Sequence, residues 1–180
     1  MSVADKIIPH YTVEDWKHWE GMWELIDGHP IAMSPNPIPR HQRVAAEMTT
    51  EFILALRKSK CKSCKAYQPM DFIVSEDTIL VPDILIVCGK ITKKFLDFPP
   101  VLVVEILSPS SVLRDRNTKY HLYEGQGVKF FLIVDAEKET IEVHELSGSA
   151  YKPLPANNSY SFELEEGCTI TPDFSAIFEN

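Results

Sequence analysis

Three stretches, ILIV at 84–87, VLVV at 101–104 and FFLIV at 130–134, are unbroken runs of branched and aromatic side chains. A strand with one wet face alternates apolar and polar residues. Unbroken runs predict central strands covered on both faces. The rest of the chain must therefore supply a layer for each side of a sheet. From about residue 39 to 59, Val44, Met48, Phe52 and Ala55 recur at three- and four-residue steps, widened by Ala45, Ile53 and Leu56. That spacing predicts a long amphipathic helix, with His41 on the same face near its start and Lys58, Lys60 and Lys62 at its C-terminus. Between the last two runs lies SPSSVLRDRNTKYHLYEGQG, a second predicted helix ending at Gly125 or Gly127. Strand–helix–strand of this size predicts a right-handed parallel crossover.

Shorter elements fill in around this frame. Thr12 followed by Glu14 and Asp15 marks a helix start. Asp27-Gly28 inside MWELIDGHPIAMS predicts a hairpin with a two-residue turn, and SPNPIP predicts a loop. Residues 66–75 and 78–88 read as two strands joined by a polar turn. TIEVHEL pairs with residues 129–135, and YSFELEEGCTITPDF adds a marginal strand. With 180 residues, 44% of them apolar, the expectation is one α/β domain over 1–180, a mixed central sheet flanked by helices. No stretch approaches 18 apolar residues and the start lacks a signal-peptide run, so a cytoplasmic protein with no membrane segment is expected.

The net charge of −8 argues against a generic nucleic-acid coat, but its distribution is uneven. Residues 40–129 carry +4 and the remainder −12. Ordinary solvated faces account for much of this. A basic rim able to meet a polyanion is the functional reading, with Arg40, Arg43, Arg114 and Arg116 as candidate phosphate contacts. Of the four cysteines, Cys61 and Cys64 in CKSCK have metal or redox spacing but no second CxxC or CxxH half. A solvated helix C-terminus is their expected setting, and Cys88 is expected to pack as a small hydrophobe.

Two carboxylates interrupt the best core segments: Asp83 in LVPDILIV and Glu105 in PVLVVEIL. A buried carboxylate must pair, hydrogen-bond, protonate or bind a metal. On neighbouring strands the two would repel unless a cation lay between them, and Mg²⁺ accepts one or two carboxylates with water and phosphate completing its octahedron. In the second helix Val112, Asp115, Lys119 and Tyr123 share one face, which directs Lys119 toward the sheet. The residues alone leave a structural alternative open. Asp83 can cap a turn after Pro82, Glu105 can pair with Arg114 or Lys119, and Asp115–Lys119 can be a plain i,i+4 pair.

The PD pair at 82–83 followed by an apolar strand with an acid at 105 resembles the signature of the PD-(D/E)XK phosphodiesterase superfamily. That signature places a lysine two residues after the second acid, where this chain has Leu107. The ordered blocks WELIDGHPIAMSPNPIPRHQRV, VPDILIV, VVEILSPSS, RDRNTKYHLYEGQGVKFFLIVD and ITPDFSAIF are similar to the bacterial Uma family of restriction-endonuclease-like proteins, whose lysine stands on the following helix. The resemblance implies a restriction-endonuclease-like fold. It makes Asp83 and Glu105 metal ligands, Lys119 the catalytic lysine, and Glu24 and His41 further site positions. The implied function is Mg²⁺- or Mn²⁺-dependent hydrolysis of DNA, the ion held by Asp83, Glu105 and the Ile106 carbonyl, by a protein that acts as a homodimer. Trp16, Trp19 and Phe178 are candidates to support that dimer. The alternative is an inactive nuclease-fold module that binds nucleic acid or a protein partner.

Overall fold

The computed structural model describes residues 8–33, 38–155 and 159–179. The first half of the chain forms α1 (Val13–Trp16), β1 (Trp23–Ile26), β2 (His29–Ala32), α2 (Pro39–Lys58), β3 (Cys64–Tyr67), β4 (Phe72–Ser75) and β5 (Thr78–Leu80). Then come β6 (Ile84–Cys88), β7 (Leu102–Ile106), a π-helical turn at Arg114–Lys119 that runs into α3 (Tyr120–Gly125), and β8 (Phe130–Asp135). The chain closes with β9 (Thr140–Ser147), β10 (Ala150–Pro153), β11 (Phe162–Glu165) and β12 (Cys168–Ile170).

Local chemistry explains the first elements. Thr12 starts α1 with its N–H donating to Asp15 Oδ2 at 2.8 Å. The β1–β2 hairpin turns on Asp27 and Gly28, whose φ values of +48° and +73° are those of a type I′ turn. A Cβ at Gly28 would also meet the His10 ring. Gly28→Ala is therefore expected to destabilise the fold by about 1–2 kcal/mol, read as a lower urea midpoint at unchanged slope. Of the predicted SPNPIP loop, residues 34–37 lie outside the described residues. Pro39 opens α2, where its missing N–H has no helical partner to lose.

The two strands expected at 66–75 and 78–88 are each divided. β3 and β6 belong to a six-stranded sheet of order β10-β9-β8-β7-β6-β3, while β4 and β5 join a four-stranded sheet of order β2-β1-β5-β4. The divisions fall at Pro69 and Pro82, which have no N–H to give a ladder, so the chain changes sheets there. The marginal strand expected near the C-terminus is a hairpin, β11–β12, and β10 is an edge strand that the sequence reading did not anticipate.

In the large sheet only β7 and β8 are parallel, joined by the predicted helical crossover, and the other pairs are antiparallel. Alternation along the strands divides the core. Ile84, Ile86, Val104, Leu132 and Val134 pack with Val44, Met48 and Phe52 of α2, and with Phe162 and Phe174 from the C-terminal segment. Leu85, Val87, Val103, Phe131 and Ile133 face the other way, against Tyr123 of α3 and Ile26, Phe72 and Leu80 of the small sheet. Glu105 shares the alternation of Val103, so it enters the layer between the two sheets. No helix among the described residues is long and apolar enough to cross a membrane.

The cysteines depart from expectation. Cys61 and Cys64 are buried, not solvated, because the chain turns back after the Ser59 cap and runs into β3 beneath α2. They are disulfide-bonded to Cys168 and Cys88 respectively, across 107 and 24 residues of sequence. Cys88 is thus a bonded partner and not merely a small hydrophobe.

Candidate active site

β6 and β7 run antiparallel with Ile84 opposite Val104, so one step further sets Asp83 opposite Glu105. Pro82 cannot continue the ladder, and the side chain of Asp83 takes over from the backbone. Its Oδ2 accepts the Ile106 N–H at 2.7 Å, which clamps the carboxylate beside Glu105. His41, from the first turn of α2, places Nε2 3.4 Å from the same oxygen. Burial alone would lower the His41 pKa. The hydrogen bond and charge of Asp83, with help from Ile106 and Asp115, carry it above the ordinary histidine value.

Lys119 arrives from the opposite side. The widened π-helical turn repeats near every fifth residue, so Arg114 and Lys119 both point at Glu24 of β1. Lys119 Nζ stands 2.6 Å from Glu24 Oε1, 3.0 Å from Glu105 Oε1 and 3.6 Å from Asp115 Oδ1. Glu105 Oε1 also accepts the Tyr123 hydroxyl at 2.6 Å. Glu24 Oε1 accepts the Val81 N–H at 3.0 Å, which ties the small sheet to the entrance of β6. The four central groups are almost entirely withdrawn from water: Glu24 0%, Asp115 1%, Lys119 2% and Glu105 3% exposed.

The charges do not balance. Among the described residues Glu24, Glu105, Asp115 and Asp83 face two permanent cations, Lys119 and Arg114. Burial pushes Glu105 well above the usual carboxylate range, Lys119 pulls it back, and Asp115, Asp83 and Glu24 push it up again. Asp115 is raised by burial in the same way, with Lys119 opposing. Burial works against the Lys119 ammonium, but Glu105, Glu24 and Asp115 outweigh it and hold the lysine protonated. Glu24 Oε2 and Asp115 Oδ1 are buried and held by charge alone, Arg114 Nε standing 3.3 Å from the first and Lys119 Nζ 3.6 Å from the second. Asp83 and Glu105 offer carboxylate oxygens on neighbouring strands in a region of surplus negative charge, a donor set that suits a hard divalent cation.

Residues 11–175 match the Uma2 family, described as "Putative restriction endonuclease". The chain belongs to the Uma2 family. A cyanobacterial relative from Synechocystis, "Uncharacterized protein slr1290", is 27% identical over 143 residues, covering 76% of this chain and 74% of the relative. The fold is similar to the crystal structure of "a putative nuclease belonging to DUF820" from Anabaena variabilis. That match has a TM-score of 0.72 at 15% identity and covers 93% of this chain and 97% of the other.

In this Uma2 chain all five residues singled out from sequence, Asp83, Glu105, Lys119, Glu24 and His41, fall in one neighbourhood. Leu107 packs with the apolar layer between the sheets. Tyr123 contributes a hydroxyl that the sequence reading had only as a helix-face marker, and Asp115 a carboxylate it had as a helix-face residue and candidate i,i+4 partner of Lys119. Their signal was the i,i+4 spacing on either side of Lys119. The candidate phosphate-binding arginines separate. Arg114 is drawn inward to Glu24, Arg40 donates to the Ala136 carbonyl and Glu139, and Arg116 makes a two-pronged contact with Glu142. Arg43 is exposed on α2, with Glu47 at 4.0 Å.

Proposed function

We propose that this chain is a divalent-metal-dependent endonuclease hydrolysing phosphodiester bonds in DNA, as one nuclease-like domain over residues 1–180. The observation that carries the reading is the reach of Lys119. The lysine missing at Leu107 is supplied from the next helix, 3.0 Å from Glu105 on the strand beside Asp83. Membership of a family whose description reads "Putative restriction endonuclease" supports the same reading.

Asp83 and Glu105, with the Ile106 carbonyl, would hold Mg²⁺ or Mn²⁺, which when bound supplies Lewis-acid polarisation of the phosphoryl group. The chain's own groups do the rest. The Ile106 N–H fixes Asp83, and the Tyr123 hydroxyl fixes Glu105. Lys119 orients the attacking water and stabilises negative charge growing on the phosphoryl oxygens. Glu24 and Asp115 hold the ammonium in position, Arg114 offsets part of their charge, and His41 stands at the rim next to Asp83. Arg43 offers a phosphate contact outside the site. A duplex is cut on both strands by two such sites, so the reading includes a homodimer. It also implies a cytoplasmic location, where DNA is accessible.

The test is incubation of plasmid and linear DNA with the protein in Mg²⁺ or Mn²⁺, with and without chelator, beside Asp83→Ala. Metal-dependent nicking or linearisation that is lost in Asp83→Ala is the expected result. Cleavage unaffected by chelator, or equal in the variant, overturns the proposal. DNA retention on a gel with no cleavage in any divalent metal would instead favour a binding module built on a nuclease fold.

A further inference from the structure

The four cysteines form a cluster at the end of β6 remote from Asp83. Cys61 and Cys64 bracket the turn between α2 and β3, Cys88 is the last residue of β6, and Cys168 is the first of β12. The two disulfides touch at one point, where Cys64 Sγ lies 3.7 Å from Cys168 Sγ. Four sulfurs about 2.3 Å from a common centre would stand about 3.8 Å apart along the edges of a tetrahedron, the geometry of a structural zinc site. The half-site that CKSCK lacks in sequence is therefore supplied through space by Cys88 and Cys168.

From this convergence we infer that the reduced form of the cluster is a zinc site, with Cys61, Cys64, Cys88 and Cys168 as its four thiolate ligands. Reduction of each disulfide takes two electrons and two protons from a thiol reductant, which becomes a disulfide itself. Zn²⁺ then displaces one proton from each of the four thiols and leaves a centre of charge −2. Three features suit that product. Lys60, Lys62, Lys65 and Lys90 lie within two residues of the ligands and offset the charge. The two ligand-bearing turns are already joined, since the Gly89 N–H donates to the Ser63 carbonyl at 3.0 Å. A surface groove lined by Ile53, Arg57 and Ala66 opens onto Cys61 and Cys64 and gives the ion a way in. Among the described residues the ligand atoms of Cys64, Cys88 and Glu165 lie within 4.8 Å of one another, with Glu165 Oε1 accepting the Ser63 hydroxyl. Cys61 and Cys168 would therefore close on the ion as the disulfides open and displace that carboxylate. The ion would pin the β11–β12 hairpin to the α2–β3 turn and to β6. This role is independent of the proposed nuclease site.

The full chain, purified under a thiol-free phosphine reductant and incubated with one equivalent of Zn²⁺ or Co²⁺, provides the test. Native mass spectrometry and metal analysis are expected to give one zinc per chain. The cobalt form is expected to show intense thiolate-to-metal absorption with tetrahedral d–d bands. Cys168→Ser is expected to weaken cobalt binding by at least 10²-fold. A metal-free chain with four titratable thiols overturns the inference, as does a mass short of four hydrogens that persists in reductant. Should Cys168→Ser fail to fold, the wild-type cobalt spectrum decides alone: bands lacking thiolate character reject the site.

Discussion

Replacing Lys119 by methionine is expected to abolish DNA cleavage and to destabilise the fold by about 3–5 kcal/mol, the range for removing one partner of a buried ion pair. The size follows from the surroundings. Lys119 is the cation shared by Glu24, Glu105 and Asp115, at 2.6, 3.0 and 3.6 Å, and all three carboxylates are shut off from water. Without it Arg114 alone must compensate them. Stability and catalysis can be separated by a second change. Glu24→Gln keeps an oxygen to accept the Val81 N–H but removes one negative charge from the cluster. The double variant Lys119→Met/Glu24→Gln is therefore expected to recover much of the lost stability, measured by urea denaturation. Cleavage should stay at least about 10²-fold below that of Glu24→Gln alone, because no group is left to orient water or meet the phosphoryl charge. If the double variant cuts as fast as Glu24→Gln, Lys119 is a structural counter-ion and has no part in the chemistry.

The parts of this molecule legible in its sequence are those governed by short-range periodicity. The apolar runs gave the central strands, the 44-48-52-55 spacing gave α2, and Asp27-Gly28 gave the hairpin turn. The faces of the second helix gave the inward direction of Lys119, although not the π-helical turn that also swings Arg114 toward Glu24. Asp83 and Glu105 stood out because a carboxylate in a doubly covered strand needs a partner. What was illegible depends on which strands meet. Residues 66–75 read as one strand yet serve two sheets, and the break between them falls at the polar stretch around Pro69, which has no N–H to give a ladder. The cysteines show the same limit more sharply. Cys61 and Cys64 look exposed beside four lysines, and only the topology brings Cys88 and Cys168 against them. Two of the structural contacts that the sequence had offered as an alternative, Glu105–Lys119 and Asp115–Lys119, do exist. They do not displace the functional reading, because two cations among the described residues, Lys119 and Arg114, face four carboxylates, Glu24, Glu105, Asp115 and Asp83.

Glu105→Gln tests that surplus from the other direction: it is expected to stabilise the metal-free protein while removing its cleavage activity. Glutamine is the same shape and retains an oxygen for the Tyr123 hydroxyl and the Lys119 ammonium. It relieves a charge that burial disfavours and that Asp115, Asp83 and Glu24 repel. Because the folded pKa of Glu105 is raised, the native state holds its proton more tightly than the unfolded chain does. The stabilisation this gives is complete below the unfolded carboxylate pKa and disappears as pH rises through the folded value. The advantage of the variant should therefore be small at pH 4 and larger at pH 8. In chelator at pH 8 a gain of about 1 kcal/mol would appear as a Tm rise of about 2–4 °C for a chain of this length. Adding Mg²⁺ or Mn²⁺ should raise the wild-type Tm, since an ion that binds only the folded state stabilises it, and should leave the variant nearly unmoved. A variant less stable than wild type in chelator at pH 8 would mean that Lys119 and Tyr123 fully compensate the Glu105 charge. The buried acids would then be a closed ion-pair network with no demand for a further cation.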